Sequence, residues 1–185
     1  MEQKRCRWAE GAPLYYQKYH DEEWGVPEYE DQALFELLIL EGFQAGLSWA
    51  TILRKRDAFR VAFDGFDPYV VAKYTEDKVQ ALMDCEGIVR NQSKIRSAVS
   101  NAQAFLQIQQ EFGSFAEYIW GFTERLIVTN TTDQFATTSP LSDAISKDLK
   151  KRGMKYVGST IVYSYLQAIG VIHDHERDCF CYRKS

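Results

Sequence analysis

The stretch Asp31-Gln32-Ala33-Leu34-Phe35-Glu36-Leu37-Leu38-Ile39-Leu40-Glu41-Gly42-Phe43-Gln44-Ala45-Gly46-Leu47-Ser48-Trp49 reads as a helix and the start of another, and it sets the class of the chain. Leu34, Phe35, Leu37, Leu38 and Ile39 follow one another too closely for a single apolar stripe, which suits a helix buried on most of its sides. Asp31 stands where an N-cap belongs, and Gly42 and Gly46 loosen the far end. Ser48 then caps a second helix, residues 49 to about 63, with Ile52, Leu53, Phe59 and Phe63 inward and Arg54, Lys55 and Arg56 outward.

The same signals recur downstream. Asp67-Pro68 opens a third helix, and Thr75 caps a short one that runs through Met83. Gly87 breaks it, and a long amphipathic helix follows from about residue 92 to 112, ended by Gly113. Ser114 with Glu117 forms a capping box for the next. Residues 127 to 138, rich in Thr and Asn, read as a surface connection. Ser139-Pro140 starts a helix that passes through Lys147, Lys150, Lys151 and Arg152 to Gly153, and a last apolar helix spans about 159 to 169 before Gly170. No strand pattern competes and no fixed period repeats, so the expectation is an all-α chain, a compact bundle of about eight helices.

With 185 residues, 45% of them hydrophobic and 14% aromatic, the chain suffices for one core, and residues 1 to 185 are expected to form a single domain. A net charge of −4 means that any nucleic-acid surface must be local. The first residues lack an apolar stretch behind their charges, and no run of about 18 apolar residues occurs, so neither a signal peptide nor a membrane span is expected and the location expected is cytoplasmic. In that setting Cys6, Cys85, Cys179 and Cys181 read as free thiols or metal ligands rather than disulfides.

Cys6 and His20 near the start, with His175 and Cys179 near the end, supply two thiols and two imidazoles, a closed tetrahedral set suited to a structural zinc ion. Spacing alone leaves His173 and Cys181 as rivals, and simple burial of the thiols as the plainer alternative. Glu41 is a carboxylate inside an apolar run, which calls for a partner or a purpose. Tyr15, Tyr16, Tyr19, Trp24 and Trp49 add flat, polar-tipped rings suited to a planar cationic ligand. Against this stand ordinary core packing for the rings and a solvent-reaching helix end for Glu41.

Several motifs, in order along the chain, resemble the type I 3-methyladenine DNA glycosylase family. They are Pro13-Leu14-Tyr15, Tyr19-His20-Asp21 with Glu23-Trp24-Gly25-Val26-Pro27, Leu40-Glu41-Gly42 with Gln44-Ala45-Gly46-Leu47-Ser48-Trp49, and Gly87-Ile88 with Arg90 and Lys94-Ile95. Leu149-Lys150-Lys151-Arg152-Gly153 with Val157-Gly158, and Asp174-His175 with Cys179, complete the set. The resemblance implies a helix-hairpin-helix glycosylase fold whose termini are joined by a zinc ion on Cys6, His20, His175 and Cys179. It implies that Glu41, the catalytic candidate, and Tyr19 hydrogen-bond the excised base while Trp49 stacks on it, with Trp24 and either Tyr15 or Tyr16 completing the pocket. An apparent one-residue insertion between Pro13 and Tyr19 keeps both tyrosines in play, Tyr16 being the one nominated.

The reaction implied is hydrolysis of the N-glycosidic bond of 3-methyladenine in alkylated double-stranded DNA after the nucleotide is extruded, leaving an abasic site without strand cleavage. Gly87, Arg90 and Lys94, in a glycine turn leading into a helix, are the candidates for phosphate contacts. A monomer is expected. The competing readings are a zinc-stabilised DNA-binding module without catalysis, and a thiol sensor built on Cys179 and Cys181.

Overall fold

The computed structural model describes residues 3–130 and 136–182. Among these, nine α-helices follow in order: α1 (Leu14–Glu22), α2 (Asp31–Gln44), α3 (Trp49–Ala62), α4 (Pro68–Val71), α5 (Glu76–Asp84), α6 (Gln92–Phe112), α7 (Phe115–Gly121), α8 (Pro140–Lys151) and α9 (Ser159–Ala168). A single 3₁₀ turn, Asp64–Phe66, follows α3. Two short strands, β1 (Val128–Thr129) and β2 (Ile172–His173), pair in parallel with Val128 opposite Ile172.

Every residue of α2 from Leu34 to Phe43 is buried, and the helix packs against α3, α6, α7 and α9. Its lack of a polar face is what allows neighbours on all sides. Rings fill the space around it: Phe43 meets Phe59 edge-on at 4.9 Å, and Phe35 meets Phe105 at 5.0 Å. No helix of the described residues is long and apolar enough to cross a membrane.

Most of the expected helices are present, and the differences have local causes. The helix α1 went unforeseen because it has almost no apolar stripe: only Tyr19 and His20 are buried, and Leu14 faces solvent. Asp31 is the first residue of α2 rather than its cap. Glu30 accepts from the Gln32 and Ala33 amides, while Asp31 accepts from the Phe115 and Ala116 amides and so caps α7. Thr75 holds the N-cap position of α5 without a side-chain cap bond. Ser114 accepts from the Glu117 amide, but Glu117 pairs with Arg125, so the capping box is half made. The connection expected at 127 to 138 contains β1; residues 131–135 of it lie outside the described residues. Arg56 turns inward from α3, against the expectation, to meet Glu36 of α2 at 2.5 Å.

Gly170 shows why the chain reverses after α9. It has φ +76°, and a Cβ there would lie 2.5 Å from the backbone of Val26 and Pro27. Only glycine permits that approach, and it seats the segment before α2 against the turn that leads to β2.

Candidate active site and metal cluster

Glu41 sits in the last turn of α2, where the helix wall opens on a cavity of about 230 Å³. The cavity is lined by Trp8, Tyr16, Tyr19, Trp24, Glu41, Gln44, Trp49, Ser164 and Gln167. Tyr16, Tyr19 and Trp24 come from α1 and the turn after it, Trp49 from the first position of α3, and Ser164 and Gln167 from α9. Ser48 fixes Trp49 by accepting from the Thr51 amide, as a cap should. All five side chains expected in a base pocket therefore share one space, and Tyr16 lines it whereas Tyr15 is exposed.

The rings are set at angles that leave room between them. Tyr19 and Trp49 lie with centroids 5.7 Å apart and planes at 53°. Trp8 meets Tyr16 edge-on at 5.2 Å and Trp24 edge-on at 5.0 Å, so it anchors two walls at once. Sequence reading missed Trp8, Gln44, Ser164 and Gln167. Trp8 stands two residues from Cys6 and carried no spacing signal, and the α9 residues look like the polar side of an apolar helix.

Glu41 is buried, and among the described residues its Oε2 has no hydrogen-bond partner, nor has the indole nitrogen of Trp49. Burial pushes the Glu41 carboxyl up to about 8. Burial likewise raises the Tyr19 phenol well above its usual range, with Glu41 adding to the effect. Glu36, the other buried carboxylate on this helix, is held by Arg56 and by Arg60 at 3.0 Å, and Arg56 also reaches Glu23 at 2.7 Å. One carboxylate is thus matched by cations of the fold, and the other faces an empty space large enough for a flat heterocycle. A larger groove of about 700 Å³ near Phe122, Leu126 and Ile127 has no carboxylate, thiol or imidazole among its described lining residues.

Cys6, His20, His175 and Cys179 are all buried, and their ligand atoms lie within 4.8 Å of one another. Cys6 Sγ is 3.5 Å from His175 Nδ1, and Cys179 Sγ is 3.5 Å from His20 Nε2 and 3.7 Å from His175 Nδ1. The far nitrogen of each imidazole is also engaged: His20 Nδ1 lies 2.8 Å from Asp21, which Arg5 grips, and His175 Nε2 lies 3.1 Å from the Trp24 carbonyl. Such partners fix the tautomer that turns the other nitrogen toward a metal. The Glu176 and Cys181 amides donate to the sulfurs of Cys6 and Cys179. Burial pushes the Cys6 thiol up, so a cation is needed to make it a thiolate. Cys181 stands outside this foursome, near His20 and Asp21, and His173 lies in β2.

The hairpin residues divide. Gly87 packs on α3, where a Cβ would come within 2.8 Å of the Ala58 side chain, and Lys55 donates to the carbonyls of Glu86 and Gly87. Arg90 is exposed. Lys94 is not a surface cation, against the expectation: it is buried, and its ammonium donates to the Phe43 and Ala45 carbonyls at 2.8 and 2.6 Å. It caps the end of the helix that carries Glu41.

The model of the methyladenine glycosylase family matches residues 8–182. The chain belongs to the methyladenine glycosylase family. Over 182 residues it is 45% identical to DNA-3-methyladenine glycosylase 1 of Escherichia coli, with 97% of each chain covered. It is 41% identical over 180 residues to the DNA-3-methyladenine glycosylase of Haemophilus influenzae, covering 96% of this chain and 97% of that one. Among solved structures, a 3-methyladenine DNA glycosylase I variant in complex with 3-methyladenine matches with a TM-score of 0.90 at 37% identity, covering 95% of this chain and 97% of that one.

Proposed function

We propose that this chain excises 3-methyladenine from alkylated double-stranded DNA. The observation that carries the reading is Glu41, a buried carboxylate with an unpartnered oxygen in a cavity walled by Tyr16, Tyr19, Trp24 and Trp49. Its family relatives bear the name of that activity. A base still stacked in a duplex cannot be enclosed by these walls, so the nucleotide swings out and the rings compensate for lost stacking. Methylation at N3 makes the base cationic. A cation draws Glu41 to its charged form and pairs with it in a low-dielectric space, and the indole and phenol faces add cation–π attraction. Neutral adenine offers neither gain.

The lesion's charge already weakens the glycosidic bond, so Glu41 recognises and stabilises positive charge and is not a nucleophile. The described residues lining the cavity include no amine for a Schiff base, which supports hydrolysis to an abasic site with the strand intact. The turn between α5 and α6 holds the DNA as a helix-hairpin-helix element, with Arg90 rather than Lys94 supplying charge. One monomer suffices, since a single chain supplies every wall of the cavity.

We also assign the cluster of Cys6, His20, His175 and Cys179 to one structural zinc ion. Tetrahedral bonds of about 2.3 Å to sulfur and about 2.0 Å to nitrogen set S and N about 3.5 Å apart, which agrees with 3.5, 3.5 and 3.7 Å. Four protein ligands leave no open position, so the ion holds the termini together and takes no part in the reaction.

The test is chromatographic measurement of free 3-methyladenine released from methylated duplex DNA by the wild type and by Glu41→Gln. Release by the wild type, lowered ten- to about a hundredfold in the variant, is expected for loss of one charge-assisted contact. No release from folded wild type would leave a DNA-binding module without catalysis, and strand scission without added nuclease would overturn the monofunctional reading.

A further inference from the structure

Gln167 lies on α9, one turn after Ser164, and both line the cavity opposite Glu41's helix. Its side chain is buried and is not free to turn. Nε2 donates to Asp174 Oδ2 at 2.5 Å. That carboxylate also accepts from the Tyr163 hydroxyl at 3.0 Å and from Asn130 Nδ2 at 2.8 Å. A carboxylate has only acceptors to offer, so it takes the glutamine amide by its nitrogen alone. Asp174 does not line the cavity, whereas Gln167 does. The amide end left for the cavity is therefore the carbonyl oxygen.

We infer that Gln167 is a specificity-determining residue, whose Oε1 accepts a hydrogen bond from the exocyclic amino group of an adenine-type base and opposes the keto oxygen of a guanine-type base. The inference rests on the glycosylase reading above and deepens it, since it names which alkylated purine the cavity prefers. At position 6 adenine presents an N–H donor and guanine an oxygen acceptor. An amino group has two hydrogens, and Glu41 and Gln167, on facing helices, are acceptors among the lining residues that can take one each. A 6-keto group would face two acceptors and leave both without a donor, and a site built to accept an N–H rejects a base that lacks it more strongly than shape alone can. The Asp174 carboxylate, itself outside the cavity, is the positioning residue that keeps the amide from flipping to suit the other base.

The test uses duplex DNA carrying both 3-methyladenine and 3-methylguanine, with the two released bases quantified in one chromatogram for wild type, Gln167→Leu and Asp174→Asn. Gln167→Leu keeps the bulk and removes the acceptor. It is expected to lower 3-methyladenine release about tenfold, the worth of one hydrogen bond, while 3-methylguanine release holds or rises. Asp174→Asn leaves Gln167 in place but lets its amide turn, and is expected to narrow the same ratio with a smaller loss of 3-methyladenine release. An unchanged ratio, or an equal fall for both bases, would overturn the inference and leave Gln167 a structural residue. If the Asp174 variant fails to fold, Gln167→Leu decides alone, because it leaves Asp174 two of its three donors. Release of 3-methyladenine by the wild type in the same assay checks the underlying reading separately; its absence would overturn both.

Discussion

Glu36 and Glu41 stand five residues apart on one buried helix and meet opposite fates. Arg56 and Arg60 compensate Glu36, while Glu41 has only the cavity before it. Burial lifts the Glu41 carboxyl from 4.5 to about 8, so the folded protein without ligand keeps a proton there that the unfolded chain has lost. Between those pH values the native state binds more protons, and this group's contribution to stability falls as pH rises from 4.5 to about 8. Glu41→Gln cannot lose that proton. Urea unfolding at pH 5 and pH 8 should therefore find the variant gaining on the wild type as pH rises, by on the order of 1 kcal/mol or more. An equal difference at both pH values would mean that Glu41 is charged in the empty pocket. Glu41 was legible in the sequence as a charge in an apolar run. The pairing of Glu36 was not, because its partners lie 20 and 24 residues away on another helix.

At the scale of elements, the end of α2 depends on α6. The last carbonyls of a helix lack internal partners and carry partial negative charge, and the Lys94 ammonium satisfies two of them just beyond Glu41. Lys94→Met is expected to destabilise the fold by about 2 kcal/mol, as buried acceptors lose their donor, and to lower base release by loosening Glu41. Because Lys94 faces inward, the dependence of DNA binding on salt should stay as in the wild type. Arg90→Ala should behave the other way round, with normal stability and a log–log salt slope reduced by about 0.9 if one phosphate contact is lost. Fluorescence anisotropy across a salt series separates the two. The motif around Lys94 was visible in the sequence, yet its role was misread, since a helix-start lysine looks alike whether it points to solvent or to another helix's end.

For the molecule as a whole, the two ends of the chain close one structure. The Phe180 amide donates to the Lys4 carbonyl, Arg7 pairs with Glu176, and the Cys6–His20–His175–Cys179 cluster lies between. The cluster also backs the pocket: His175 meets the Trp24 ring edge-on at 4.6 Å, and Trp8 lies 5.0 Å from both His20 and Trp24. Cys179→Ser is expected to lower zinc content from one per chain to near zero and to reduce the melting temperature by several degrees, as ligand loss undoes metal-linked folding energy. Cys181→Ser should keep the metal. Atomic absorption with thermal unfolding measures both, and metal loss on Cys181→Ser alone would shift the site to that thiol.

The sequence by itself determined the helical class and the bounds of most helices, and it singled out Tyr19, Trp24, Glu41 and Trp49 as pocket candidates and the cysteines and histidines near both ends as metal-ligand candidates. Caps, apolar periodicity and motif order are local signals, written in neighbouring residues. Tertiary structure alone decided between Tyr15 and Tyr16, set Cys179 rather than Cys181 in the buried foursome, moved Asp31 to α7 and Lys94 to α2, and brought Trp8, Ser164 and Gln167 to the cavity. Each of those depends on which way a side chain points across a helix–helix contact, and that direction is fixed by packing between segments distant in the chain.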